Sequence, residues 1–167
     1  MLKIMDIYHQ TEIIYKETMI KKFTDNRGDF MLFDCKKCDQ VNIVTNPKAF
    51  TFRGLHYQEG DTAQRKTVKV IQGKVLDFLY DPISNDTEIY VLDKDSEPLI
   101  VGREFAHGYL TIEPNTIFTY AVEGDYNPDT ERSIVWKDVD KVKQAVLDFI
   151  WTDGGDLTIS DKDKNGK

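Results

Sequence analysis

Between Phe52 and Gln58 the chain sets a guanidinium, an imidazole, a phenol and an amide in one short run, Phe52-Arg53-Gly54-Leu55-His56-Tyr57-Gln58. In an extended strand alternate side chains share a face, so Phe52, Gly54, His56 and Gln58 are expected on one side and Arg53, Leu55 and Tyr57 on the other. The first side pairs a base and an amide with a glycine that leaves room for a ligand. Further on, Gln64-Arg65-Lys66-Thr67-Val68-Lys69-Val70 also alternates and reads as a second strand, carrying Lys66. A neutral imidazole near an ammonium suits removal of a proton from carbon next to a carbonyl: the base takes the proton and the cation steadies the enolate. A histidine satisfied within a polar strand fits the same residues, so both readings stand at this point.

Other groups add to the picture. Glu104-Phe105-Ala106-His107-Gly108 places a second histidine beside a glycine. A barrel that brought His56 and His107 together with a carboxylate would offer metal ligands, but neither histidine belongs to a His-x-His pair, and no metal is expected. Tyr120 alternates in phase with Phe118, which suits a core aromatic or a phenol that donates a proton into a pocket. Tyr126 and Glu131-Arg132 fall in a turn-rich loop. Asp77 and Asp81 are spaced to share a face of one apolar strand, where buried carboxylates need partners. The two cysteines, Cys35-Lys36-Lys37-Cys38, have the spacing of redox and zinc sites, yet two further zinc ligands and a helix start are both missing, so a turn between paired strands with reduced thiols is expected.

These groups must be held by something, and the surrounding pattern is of short strands and turns. Strands are expected within Glu12 to Phe23, then at Phe30 to Asp34, Gln40 to Thr45, Glu88 to Leu92, Pro98 to Val101, Gly108 to Ile112 and Ile117 to Val122. Val68 to Gln72 and Val75 to Tyr80 are expected to pair as a hairpin about Gln72-Gly73-Lys74. One helix stands out, Val139 to Phe149, with Val139, Val142, Val146 and Phe149 at helical spacing. This rhythm argues for an all-β sandwich or barrel. At 167 residues one domain, spanning 1–167, is expected. The net charge of -7 argues against general nucleic-acid binding and requires a locally basic pocket for any anionic ligand. No apolar run suits a membrane span and the first residues turn polar at once, so a soluble, cytoplasmic protein is expected.

Taken in order, Arg27-Gly28-x-Phe30, Gln40-x-Asn42, Arg53-Gly54-Leu55-His56-Tyr57-Gln58, Gln64-x-Lys66, Phe105-Ala106-His107-Gly108, Tyr120, Tyr126-x-Pro128, Glu131-Arg132 and Ser160-x-Lys162-Asp163 resemble the dTDP-4-dehydrorhamnose 3,5-epimerase family, sugar-nucleotide epimerases with a cupin-type jelly roll. The resemblance runs from about Asp25 to Asp163 and implies an all-β cupin-type barrel with short helical segments near the C-terminus. It implies that His56 is the base, Asp163 its partner, Lys66 the group that stabilises the enolate and Tyr120 the opposing acid. Arg27, Gln40, Asn42, Arg53, His107, Tyr126, Glu131 and Lys162 are implied to bind the nucleotide sugar, with Tyr126 stacking on the base. No cofactor is implied, and the expected assembly is a homodimer in which an amino-terminal strand joins the neighbour's sheet.

The chain departs from the family pattern at Leu32, where glutamate is usual, in the shortened stretch from Arg27 to Gln40, in Phe50-Thr51-Phe52, and at Glu104 and Ala121. The function implied is inversion at carbon 3, carbon 5 or both of a 4-keto-6-deoxy sugar nucleotide. A single-site 3-epimerase, a ketoisomerase and a non-catalytic cupin that binds a sugar nucleotide or glycan are the alternatives.

Overall fold

Two β-sheets packed face to face form the body of the protein, and their strands arise where the sequence alternates apolar and polar residues. The computed structural model describes residues 18–25, 28–35 and 37–166, the first two ranges as backbone. Arg27 and the beginning of the expected Glu12 to Phe23 strand region lie outside the described residues. Strands β1 (Thr18–Asp25) and β2 (Gly28–Cys35) form an antiparallel ribbon of their own. The first main sheet runs β3 (Gln40–Asn46), β10 (Thr116–Glu123), β5 (Arg65–Gln72) and β8 (Leu99–Val101). The second runs β11 (Glu131–Ser133), β4 (Thr51–Gln58), β9 (Ala106–Thr111), β6 (Lys74–Tyr80) and β7 (Thr87–Asp93), with β12 (Thr158–Ile159) added to β4. This is the jelly-roll arrangement of the all-β expectation.

The second sheet buries both of its faces. Val75, Leu79 and Tyr109 look inward and meet Val68, Val70 and Phe118 of the first sheet. Phe52, Leu55, Leu76, Phe78 and Leu110 look outward and are covered by Trp136 and by helix α1 (Asp140–Asp153), which lays down Val142 and Val146. Helix α1 ends at Gly154, whose φ of 66° suits a left-handed cap and whose N–H bonds Ile150 O. A second, short helix, α2 (Asp161–Asn165), is capped by Ser160.

Three expectations are corrected. First, β5 and β6 are not a hairpin: β5 pairs with β10 and β8, β6 with β7 and β9. Each has apolar residues aimed at the barrel interior, so the two strands confront each other across the core, and Gly73, at a φ of 82°, carries the chain from one sheet to the other. Second, β2 pairs with β1 rather than β3, so the cysteine segment links two sheets instead of turning between paired strands. Third, the alternation around His56 breaks at Gly54. Arg53 faces Tyr109 and His56 faces His107, so three steps on β4 match two on β9. This bulge shifts the phase: Phe52 and Leu55 turn towards α1, while Arg53 and His56 share the inner face.

Only glycine can occupy the bulge. Gly54 has a φ of 113°, and a Cβ there would lie 2.5 Å from Gly108 Cα and 2.6 Å from His107 O. Gly54→Ala is therefore expected to cost roughly 3 kcal/mol or more of stability through overpacking and a disfavoured φ. A urea unfolding curve reads this directly, with the midpoint moving down; an unchanged midpoint would show that the strand slips to make room.

Candidate active site

His56 turns inward on β4, and its Nε2 lies 2.8 Å from Oδ1 of Asp163, a residue 107 positions away on α2. The carboxylate is aimed from two sides. Ser160 Oγ accepts the Asp163 N–H at 3.1 Å, fixing the first turn of α2, and Oδ2 accepts the Gly54 N–H at 3.4 Å. The bulge that turns His56 into the barrel thus also supplies the amide that orients its carboxylate. Burial alone would raise the Asp163 pKa, but the hydrogen bond and charge of His56, with the Gly54 N–H and the Ser160 hydroxyl, hold it below the usual carboxylate range. A carboxylate at Nε2 fixes the ring's orientation and favours a proton on that nitrogen, leaving the other as the base.

Across the barrel, the first sheet presents Lys66 and Tyr120. Tyr120 on β10 lies opposite Val68 of β5 and Asn42 of β3, and Val122 lies opposite Lys66 and Gln40, so these residues occupy adjacent rungs of one sheet. Two cavities open between the sheets. The inner one, about 250 Å³, has Phe118, Tyr109 and His107 in its wall beside Arg53 and Asp163. The outer one, about 330 Å³, is bordered by Gln40, Asn42, Gln64, Tyr126 and Glu131. His56, Lys66 and Tyr120 line both, so an imidazole, an ammonium and a phenol border the two cavities together.

Burial sets the chemistry of the two groups on the first sheet. It lowers the Lys66 pKa to about 8, against the opposing pull of the Glu131 and Asp77 carboxylates. It raises the Tyr120 pKa, which the Arg53 charge partly offsets. The phenol is therefore neutral and able to donate at neutral pH, while the lysine remains mostly cationic. An imidazole on one sheet and a phenol on the other can take a proton from one side of a bound molecule and return one to the opposite side.

The remaining expected residues divide between the cavities. His107 is the cross-strand neighbour of His56, but its Nε2 lies 2.9 and 3.0 Å from the two carboxylate oxygens of the buried Asp77. The two imidazoles therefore each serve their own carboxylate, and among the described residues no three His, Cys, Asp or Glu side chains gather as metal ligands. Asp77 and Asp81 do not act as a pair: Asp81 lies past the end of β6 and accepts from the Ser84 hydroxyl and the Ile83 N–H. At the outer cavity the Gln40 amide donates to Asn42 Oδ1 at 2.6 Å. There Glu131 Oε2 accepts from Tyr126 OH at 3.1 Å and from Lys162 Nζ at 2.8 Å, which steadies a largely exposed aromatic ring at the rim. Gln58 is absorbed by the scaffold, its amide bonding Thr62 O, Asp125 O and the Asn127 N–H.

Sequence reasoning passed over Asn46. It reads as a breaker before Pro47, yet its side chain is buried and its Oδ1 accepts the Arg53 Nε–H at 2.9 Å. The orienting role of Ser160 had a local signal, since a serine three residues before Asp163 is a helix cap in waiting.

A jelly roll with an open interior, a carboxylate-backed imidazole on one sheet and a phenol with an ammonium on the other defines a cupin-type protein equipped for proton transfer to a small ligand. Residues 13–167 match the family model for dTDP-4-dehydrorhamnose 3,5-epimerase, and the chain belongs to that family. It is 31% identical over 118 residues to the dTDP-4-dehydrorhamnose 3,5-epimerase of Escherichia coli, a match covering 67% of this chain and 60% of that protein. The chain thus spans about three-fifths of the length of that relative. The crystal structure of dTDP-4-dehydrorhamnose 3,5-epimerase from Bacillus anthracis with TDP and PPi bound has a TM-score of 0.70 at 28% identity, covering 87% of this chain and 89% of that one. The dTDP-6-deoxy-D-glucose-3,5-epimerase of Legionella pneumophila in complex with dTDP-4-keto-L-rhamnose has a TM-score of 0.69 at 27% identity, covering 86% of this chain and 81% of that one.

Proposed function

We propose that the protein is an isomerase that inverts carbon 3, carbon 5 or both of a dTDP-linked 4-keto-6-deoxy sugar. The observation that carries this reading is the placement of His56 and Tyr120 on opposite sheets, both lining the two cavities together with Lys66. Family membership and the ligand named in the Legionella structure support the choice of substrate.

In the proposed reaction His56, held by Asp163, removes the proton from the carbon beside the ketone. The electron pair moves onto the carbonyl oxygen, where the Lys66 ammonium stabilises the enolate. Tyr120 then protonates the carbon from the other face. The enzyme is left with a protonated imidazole and a phenolate, and exchange with water restores both. The ketone itself acidifies its neighbours, so the chemistry consumes no redox cofactor. Arg53, with Arg27, binds the diphosphate and sugar, and His107 contacts the sugar. Gln40 and Asn42 bind the nucleotide or sugar, Tyr126 stacks on the base, and Glu131 and Lys162 complete the outer site. The proposal includes one catalytic domain, a homodimer and a cytoplasmic location. Among the described residues no helix is long and apolar enough to cross a membrane, which agrees with that location without fixing it.

The test is incubation with dTDP-4-keto-6-deoxyglucose in deuterium oxide. Solvent deuterium is expected at carbon 3, carbon 5 or both, with inverted product; the number of labelled carbons separates a single-site from a double epimerase. Tight binding of the nucleotide sugar without any exchange would replace this reading with that of a binding cupin.

A further inference from the structure

Asn46 sits at the end of β3, almost fully buried, and spends its polar atoms in an unusual way. Its Nδ2 donates to Thr116 O and to the Tyr109 hydroxyl, both at 3.3 Å, which ties it to β10 and β9. Its Oδ1 accepts the Nε–H of Arg53 at 2.9 Å, with the Tyr109 hydroxyl at 3.5 Å, and Arg53 belongs to the opposite sheet and opens onto the inner cavity. Burying an amide costs free energy unless it is hydrogen-bonded, and most such amides satisfy backbone groups. This one, besides bonding the Thr116 backbone, reaches between the sheets to hold an exposed cation. Tyr109 cannot swing away, because its ring stacks on Phe118 at 4.2 Å.

We propose that Asn46 is a positioning residue which, by holding the Arg53 guanidinium on the wall of the cavity shared with Tyr120, readies the phenol to return a proton to the enolate. The inference rests on the proposed role of Tyr120 and extends it. The charged and titratable groups lining the cavity with Tyr120 are Lys66 from β5, Arg53 and His56 from β4, and His107 from β9 with Asp77 behind it. Lys162 and Asp163 from α2 and Tyr109 from β9, whose hydroxyl bonds Asn46, complete the inner lining, and Tyr57, Tyr126 and Glu131 border Tyr120 from the outer cavity. Of these, Arg53 is the one whose charge opposes the effect of burial on the phenol. Its Nε–H is the atom Asn46 holds, so a freed guanidinium would swing into the cavity water and its field at Tyr120 would fall.

The consequence is selective. Proton removal by His56 depends on Asp163, whose contacts do not involve Asn46. Proton return by Tyr120 depends on Arg53. Without the strut, the enolate is reprotonated more often by the imidazole that made it, giving exchange without inversion.

The experiment compares wild type, Asn46→Leu, Arg53→Ala and the double variant, each labelled with 13C at the tyrosine Cζ and assigned with Tyr120→Phe. The Tyr120 resonance is expected to titrate at higher pH in each single variant, through loss of the opposing Arg53 charge, and no higher in the double variant than in Arg53→Ala. On the 4-keto sugar nucleotide, inverted product should fall about tenfold in Asn46→Leu while deuterium wash-in changes less than about twofold. An unchanged Tyr120 titration in either single variant, or shifts that add in the double, would overturn the inference. Equal losses of exchange and inversion would do the same. If Asn46→Leu does not fold, Arg53→Ala, a change at a cavity-exposed side chain, carries the test alone: an unshifted Tyr120 there is fatal. Absence of exchange in wild type would defeat the epimerase reading, whereas the titration decides the role of Asn46 independently.

Discussion

Replacing His56 with alanine is expected to lower solvent-deuterium incorporation by about 10²–10⁴, the usual contribution of a positioned general base. The side chain is partly open to the cavity, at 29% exposure, so its removal leaves no dry void, but the buried Asp163 carboxylate loses its partner and the thermal midpoint should fall while the protein still folds. Asp163→Asn is expected to lose a comparable factor by a different route. The amide is nearly isosteric, but turned to keep the Gly54 N–H bond it presents its NH₂ group to Nε2. The neutral imidazole then carries its proton on the other nitrogen, the one that must act as base, and it can no longer accept from carbon. Affinity for thymidine diphosphate should hold in both variants, because Asp163 lines only the inner cavity and His56 sits where both cavities are bordered, whereas the nucleotide contacts in this reading are Gln40, Asn42 and Tyr126. Exchange within tenfold of wild type in His56→Ala would remove His56 from the chemistry and leave its bond to Asp163 as a fastening between α2 and β4.

Much of the fold was legible because strands announce themselves by local alternation. Phe118 and Tyr120, in phase on β10, kept the spacing the sequence suggested, and Val142 and Val146 marked the buried face of α1. What local pattern does not encode is which strand lies beside which. Gln72-Gly73-Lys74 has the letters of a hairpin turn, yet the strands on either side both carry inward apolar residues and must oppose each other across the core. The bulge at Gly54 was similarly hidden. A single residue out of phase moved Arg53 from the expected outer face to the inner one, beside His56, and it is forced by backbone contact between Gly54 and Gly108 that only the paired strands reveal. The site divides in the same way. The residue types of His56, Lys66 and Tyr120 suggested their chemistry one by one. The bond from His56 to Asp163, 107 residues on, came from family likeness rather than spacing. Asn46, whose bond to Arg53 crosses between the sheets and which sits in a segment that reads as a loop, had no local signature at all.

Lys66→Gln is expected to reduce the exchange rate by about 10²–10³, the cost of removing one strong donor from a developing oxyanion, and to erase the alkaline limb of the pH profile. The sign follows from burial. Desolvation lowers the Lys66 pKa from the ordinary lysine value to about 8, so the ammonium is present below that pH and is lost above it. Exchange by the wild-type protein should therefore decline as pH rises through about 8, more than two units earlier than an exposed lysine would allow. Tyr120 does not confuse the assignment, since burial raises its pKa and keeps the phenol protonated through this range. Asp163, held below the usual carboxylate range, is already ionised and does not titrate there. Glu131 provides an independent check, because its charge supports the protonated form of Lys66. In Glu131→Gln the alkaline limb should move to lower pH while Lys162 loses its ion pair, and weaker nucleotide binding is expected alongside. Rates measured across pH 6 to 10 in buffers of constant ionic strength read the wild type and both variants. A limb that survives in Lys66→Gln would belong to another group and would leave the enolate without its assigned cation.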